Sequence, residues 1–391
     1  MVNYYSADYI LPVSAKPIHN GIIGVDENGE IIGVYESGAK EISDKTITKH
    51  KGIITPGFIN THCHLELSHL KGKFAKGTGL IPFIEAVIGQ RNANEKEVVK
   101  AMQSADSEMK RNGIVAVGDI ANRAISKETK EKSSLYYHTF IEILCFEPEK
   151  AQEVFRDGLA LCETFDGLPS SITPHAPYSV CKEIFRFLKQ LHKPETNLLS
   201  IHNQESEEEN KLYRYKSGQF IDFYRKLNRD IGFFKAQARD SIQTIVPLLP
   251  KRQPVMFVHN TYTNMKDIFF VDRFAGNVTW CICPNANLYI ENRLPKIDLF
   301  LNQDSPITLG TDSLASNDKL CILSELLTLH AHFPHLKLED TLKWATLNGA
   351  KYLGIDHQYG SLEKGKKPGL NLISHTQGLK LSENSTVTPL I

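Results

Sequence analysis

The chain has 391 residues, of which 41% are hydrophobic and 23% charged, with 45 Lys and Arg against 45 Asp and Glu. That composition excludes a mostly disordered or fibrous chain and leaves room for a large core, as one large domain or two to three ordinary ones. A net charge of zero also excludes a polycation that grips nucleic acid or an anionic membrane by bulk charge, though not a local basic patch.

The first ~55 residues read as strands and turns. YYSADYILPV is β-rich, and GIIGVDENGEIIGVYE gives two apolar runs joined by DENGE. Asn-Gly tolerates positive φ, so a hairpin with a type I′ turn is predicted there. After residue 80 the pattern changes. LIPFIEAVIGQRN and EKEVVKAMQSADSEMKRNG space their apolar residues as helices, the second capped at Asn112-Gly113. Strand-like and helix-like runs then alternate. PEKAQEVFRDGLALCETF, EIFRFLKQLHK, LCILSELLTLHAHF and EDTLKWATLNGAKYLG read as helices, the last capped at Gly354. Strands are predicted at 58–64, 114–120, 137–143, 170–174, 198–202, 255–259, 278–283 and 306–312.

Eight β/α units in about 300 residues match the rhythm of a TIM-type (β/α)8 barrel. A doubly wound open sheet shares the local pattern, and periodicity alone does not choose between them. The tail GSLEKGKKPGLNLISHTQG returns to short strands and turns. A small β-sandwich domain built from both chain ends fits this, with 1–56 and 361–391 flanking a barrel of 57–360. The run ESEEE (205–209) reads as a solvated helix start.

The seven cysteines are scattered and form no CxxC pair, so neither a disulfide framework nor a structural zinc knot is expected. Cys281 and Cys283 read as small core residues on one strand face. The N-terminus carries no basic n-region, and no window reaches 18 apolar residues. A soluble, cytoplasmic protein acting on a small molecule, without membrane or nucleic acid, is the expectation.

The sharpest chemical signal is His62-Cys63-His64. Residues i and i+2 on a strand share a face, so two imidazoles at a strand end can bind one ion. His202 ends LLSI, His259 ends VMFV, and Asp312 ends ITLG. In a β/α barrel those strand ends converge on one mouth. The other eleven histidines, such as His330, His332 and His335, read as helix or loop residues. Three imidazoles and a carboxylate suit zinc or ferrous iron better than calcium or magnesium. A divalent ion with an open position lowers the pKa of bound water to about 7. Glu205, three residues past His202, is the candidate proton carrier; a helix-N-terminal carboxylate is the competing reading.

TPGFINTHCHLEL, SITPHAPYSV, IHNQE, VHNTY, CPNANLYI and LGTDSLASN together resemble the amidohydrolase superfamily, in its chlorohydrolase/aminohydrolase branch of cytosine, guanine and adenosine-type deaminases. The resemblance covers essentially the whole chain. It implies one metal ion, zinc first and iron second, held by His62, His64, His202 and Asp312. Glu205 would shuttle protons, His259 would orient hydroxide or polarise the substrate, and Asp312 would also act as base. Thr173-Pro174-His175 stands where binuclear members carry a bridging lysine, which favours a mononuclear site.

On the substrate side the resemblance implies base contact by His175 and ribose contact by Glu85. Ala86 replaces a frequent Trp, and Pro368-Gly369-Leu370-Asn371 replaces an Ala-Asp-Leu run. GLIPFIEAVI, CPNANLYI and GTDSLASN look most like deaminases of 6-amino-6-deoxyfutalosine, an adenine nucleoside with a carboxybenzoyl group. Its carboxylate calls for a cation, with Arg91, Arg123 and Arg214 as candidates. Other substrates in view are S-adenosylhomocysteine, methylthioadenosine, guanine and triazine-like rings. A homodimer is expected by analogy. A non-catalytic scaffold on a decayed barrel is the contrary reading, and the intact ligand set argues against it.

Overall fold

Eight short apolar runs form eight strands: β1 (Phe58–Cys63), β2 (Ile114–Ala121), β3 (Tyr136–Ile143), β4 (Ser170–Pro174), β5 (Leu199–Asn203), β6 (Val255–His259), β7 (Val278–Ile282) and β8 (Ile307–Leu309). The computed structural model describes residues 2–303 and 305–391. Every residue of β5 and β6 is buried, as expected where parallel strands are covered on both faces. Helices occupy most of the gaps, and among the described residues none is long and apolar enough to cross a membrane.

Strands β1 to β4 pair in parallel in chain order, and so do β5 to β8. The two sheets touch at both edges. Between β4 and β5, the Thr173 hydroxyl donates to the Ser200 carbonyl at 2.9 Å and accepts from the Ser200 amide at 2.9 Å. Between β8 and β1, the amides of Thr311 and Asp312 donate to the His62 carbonyl at 3.1 and 3.0 Å. A Cβ on Gly310 would stand 2.7 Å from His62 Cβ, so only glycine allows this approach. Thr61 of β1 reaches Thr308 of β8 at 3.0 Å and Cys281 of β7 at 3.4 Å.

Strands near the N-terminus form one sheet, and strands from both chain ends share another. Val2–Ser6 lies between Ile22–Asp26 and Ile47–Lys49, and Leu370–Ser374 pairs antiparallel with Ile53–Pro56. Ala7, Ile23 and Ile31 pack in one buried cluster with Ile54, Leu370 and Leu372. All seven cysteines are free thiols, and Cys281 and Cys283 are fully buried in the core.

Four local readings need correction. The hairpin of Ile22–Asp26 and Ile31–Tyr35 forms, but Gly29 alone takes positive φ in its turn, so the turn is not type I′. The Asp26 carboxylate accepts the Asn28 and Glu30 amides at 2.8 Å each and sets the turn instead. The helix expected over EDTLKWATLNGAKYLG is split at Thr346, which lies at φ −141° between Leu338–Ala345 and Leu347–Tyr352. The ESEEE run is not solvated: Glu205, Ser206 and Glu209 are buried, and Ser206 caps the helix Glu207–Tyr215. His138 lies within β3 rather than in a helix or loop, buried and paired with Ser171 at 2.8 Å.

Candidate active site

Strand ends deliver the chemistry. Ile59 packs among the side chains between the sheets, whereas Cys63 packs in the outer core. The register irregularity between Asn60 and Cys63 resets the strand's alternation. It turns His62 to the side where it meets His202 and His259, at ring separations of 4.8 and 5.8 Å. His64 follows, held by the next residue: the Leu65 amide donates to Asp119 at 2.7 Å. Asp119 is fixed by an ion pair with Lys130 at 2.7 Å, both side chains fully buried.

The nitrogen His64 Nε2 lies 3.2 Å from His62 Nε2 and 3.1 Å from His202 Nε2. Asp312 Oδ1 lies 3.4 Å from His64 Nε2 and 3.8 Å from His62 Nε2. Asp312 turns that oxygen inward because Ser316 donates to its other one at 2.5 Å. Burial, then the neighbouring imidazoles, hold His62 well below the usual histidine range, and burial and the nearby His175 and His259 rings bring His64 down to about 3. The imidazoles are therefore neutral, each with one N–H. His202 places its proton on Nδ1, which donates to the His175 carbonyl at 3.0 Å, so its Nε2 is a bare lone pair. Three ring nitrogens and a carboxylate oxygen this close together form a compact donor set. Four donors around one zinc ion at about 2.0–2.1 Å would stand about 3.3 Å apart, close to the spacing here. His62, His64, His202 and Asp312 thus fit one divalent ion.

His259 stands beside this cluster. Its Nδ1 donates to Asn287 Oδ1 at 2.9 Å, and its Nε2 is buried without a hydrogen-bond partner. That atom faces Glu205 Oε1 at 3.7 Å. Burial, with Asp312 and Glu291 nearby, pushes the Glu205 carboxyl well up, so it holds a proton where an exposed carboxyl would not. Gln204, His259, Asn260 and Asp312 all have positive φ. Such backbone costs energy in non-glycine residues and is held by its surroundings. Gln204 is clamped by Thr263 at 2.7 Å and Asp267 at 2.9 Å.

These groups open on a cavity of about 240 Å³. His175 lines it, with Nδ1 2.6 Å from the Ser179 hydroxyl. Most of the remaining wall is apolar, including Phe83, Ile84, Phe146 and Phe223. Glu85 is not brought to this cavity. Its helix, Leu80–Gln90, turns Leu80, Ile84, Val87 and Ile88 inward, while Glu85 pairs outside with Lys226 at 2.7 Å. Of the three candidate cations only Arg91 lines the cavity. Arg123 faces Glu66 at 4.0 Å, and Arg214 pairs with Glu207 and Asp240. Sequence reasoning missed Glu142 and Asn122, which also line it.

Buried carboxyls extend beyond the cavity. Burial raises Glu209 to about 8 and Glu325 to about 8. A carboxyl raised on folding stabilises the fold below its unfolded value, near 4.5, and that contribution is lost as pH rises through about 8. The metal-free protein should therefore lose stability between pH 5 and pH 9 in denaturant titrations. Glu209→Gln should remove part of that loss, on the order of a few kcal/mol. An unchanged slope in the variant would acquit Glu209.

A family model described as "Amidohydrolase family" matches residues 53–388. A protein of Helicobacter pylori named adenosine deaminase is 28% identical over 334 residues, covering 83% of this chain and 80% of that protein. One of Nitratiruptor sp. named aminodeoxyfutalosine deaminase is 24% identical over 379 residues, covering 93% and 89%. The crystal structure of Helicobacter pylori aminofutalosine deaminase with methylthio-coformycin superposes with a TM-score of 0.80 at 21% identity, over 97% of this chain and 93% of that one.

Proposed function

The chain belongs to the amidohydrolase family, and from that premise we propose that it is a metal-dependent hydrolytic deaminase of an amino-purine nucleoside, with 6-amino-6-deoxyfutalosine as the first substrate to try. The observation that carries this reading is the convergence of three imidazole Nε2 atoms, Asp312 and a proton-bearing Glu205 on one apolar-walled cavity. The two parallel sheets, touching at both edges, are read as one closed eight-strand barrel spanning 57–360. Segments 1–56 and 361–391 are read as a flanking β-sandwich domain.

His62, His64, His202 and Asp312 would hold the ion, with zinc favoured by the three-nitrogen, one-oxygen donor set. When bound, such an ion supplies Lewis acidity that makes hydroxide available near neutral pH. The protein's own groups move the protons. Overall, a water oxygen bonds to C6 of the purine, the C6–N bond breaks, and ammonia leaves. Asp312 takes a proton from the attacking water. Glu205 gives its proton to the ring nitrogen beside C6 and recovers one from the added hydroxyl, while Asp312 passes the proton it took from water to the departing amine, so that both carboxyls return to their starting states. His259 orients the attacking oxygen through Nε2, the ring nitrogen left free of the Asn287 contact. His175, whose ring lies 4.7 Å from that of His202, contacts the base.

The test is the ultraviolet spectrum of 6-amino-6-deoxyfutalosine with the zinc-loaded protein. A saturable adenine-to-hypoxanthine change with stoichiometric ammonia is expected. Parallel assays with methylthioadenosine, S-adenosylhomocysteine and guanine would show a different substrate. No release of ammonia from any of them would overturn the deaminase reading.

A further inference from the structure

We propose that Glu142 is a positioning residue for the metal centre, an outer carboxylate that orients and charge-balances His202 from behind. The inference rests on the metal-dependent reading above but concerns a residue that reading does not use.

Glu142 lies near the end of β3, buried, in a run of apolar residues. One oxygen, Oε2, accepts from Asn122 Nδ2 at 3.0 Å. The other, Oε1, is buried without a hydrogen-bond partner and faces His202 Nδ1 at 3.7 Å. A buried carboxylate oxygen left unpaired is costly, and such a group in a folded protein calls for an explanation. The His202 Nδ1–H supplies one. Its hydrogen goes to the His175 carbonyl at 3.0 Å, and Glu142 Oε1 stands beside the same nitrogen at 3.7 Å, close enough for its charge to be felt at that edge of the ring. An imidazole that gives its Nε2 lone pair to a cation becomes more positive at Nδ1–H, so the carboxylate interaction strengthens on metal binding. Charge counting agrees. Three neutral imidazoles and Asp312 offset one of a divalent ion's two charges, and Glu142, ionised beside a bound ion, would supply the second from 3.7 Å behind a ligand nitrogen.

The carboxylate is itself held in register with the other ligands. Glu66 lies two residues past His64 and accepts the backbone amides of Asn122 and Arg123 at 3.3 and 3.2 Å. Asn122 then grips Glu142, and Glu142 faces His202. One chain of contacts thus ties the His62-Cys63-His64 segment to the histidine of β5. Arg91 closes the row, 3.5 Å from Asn122 Oδ1.

The experiment measures zinc affinity by chelator competition, together with the melting temperature of the metal-free protein. Glu142→Gln keeps the length of the side chain and removes its charge; Glu142→Asp keeps the charge. Zinc affinity should fall by about 10- to 100-fold in Glu142→Gln, with the metal-free melting temperature unchanged or raised, and Glu142→Asp should stay closer to the native affinity. Native zinc affinity in Glu142→Gln would overturn the proposal. So would equal losses in the two variants, or a loss that merely tracks a lower metal-free melting temperature. If the unaltered protein itself fails to bind zinc, the metal-dependent reading falls instead.

Discussion

Glu205→Gln should lower kcat/KM by about 10²- to 10⁴-fold, the range lost when a positioned general acid–base group is removed, while zinc content stays native. Gln cannot carry a proton, yet it fills the same volume beside His259. Glu205 is not among the four proposed ligands, so metal retention separates a proton-transfer defect from a collapsed site. The same substitution carries a second, opposite expectation. Burial and the nearby Asp312 and Glu291 carboxyls raise the Glu205 pKa well above its ordinary 4.5. The unfolded chain therefore ionises this group at lower pH than the folded metal-free protein does, and stability is lost as pH rises above 4.5. Gln removes that penalty. The metal-free variant should melt at the same or a higher temperature at pH 8 and show a flatter dependence on pH. Loss of activity with gain of stability is the signature of a residue kept for chemistry rather than for the fold. Unchanged turnover would remove Glu205 from the mechanism.

The strands and the histidine cluster were legible because their signals are local. Short apolar runs such as VMFVH and LLSIH end in a polar residue, and parallel pairing then carries each of those ends to the same side of a sheet. Glu85 shows where local signals fail. LIPFIEAVIG is apolar on several helix faces, so its pattern does not say which face rolls inward. That depends on packing against Gln219–Lys226, where Lys226 claims Glu85. Glu142 failed for a different reason. An acid inside the apolar run TFIEIL is the same kind of signal as His202 and Asp312, but it lies within the run rather than at its end, where alternation marks a strand and nothing more. The burial of Glu209 and the turn at Asn28-Gly29 were set by tertiary neighbours and by the Asp26 side chain, which composition and spacing do not report.

Asp312→Asn should abolish both tight metal binding and turnover, with kcat/KM falling on the order of 10³-fold or more. Asn suits this test because the position has φ +56°. Asn tolerates the left-handed region, whereas a residue that prefers extended backbone would add strain to the result. The amide can still pair with the Ser316 hydroxyl, so the loop keeps its shape. What disappears is the single formal negative charge among the four ligands. Three neutral imidazoles would then face a divalent ion in a buried, low-dielectric site with less to offset its charge. Zinc should raise the melting temperature of the native protein in proportion to its binding, by about 2.7 kcal/mol of stability at a hundred times Kd. In Asp312→Asn that zinc-dependent increment should vanish while the metal-free melting temperature stays near native. Dialysis of the native protein against dipicolinate should remove activity, and added zinc should restore it, whereas zinc should not rescue the variant. A variant that keeps one zinc per chain and native turnover would show that Asp312 is neither ligand nor base. The inward-facing oxygen, 3.4 Å from His64 Nε2, would then serve only to hold His64 and His62 in place through their ring nitrogens.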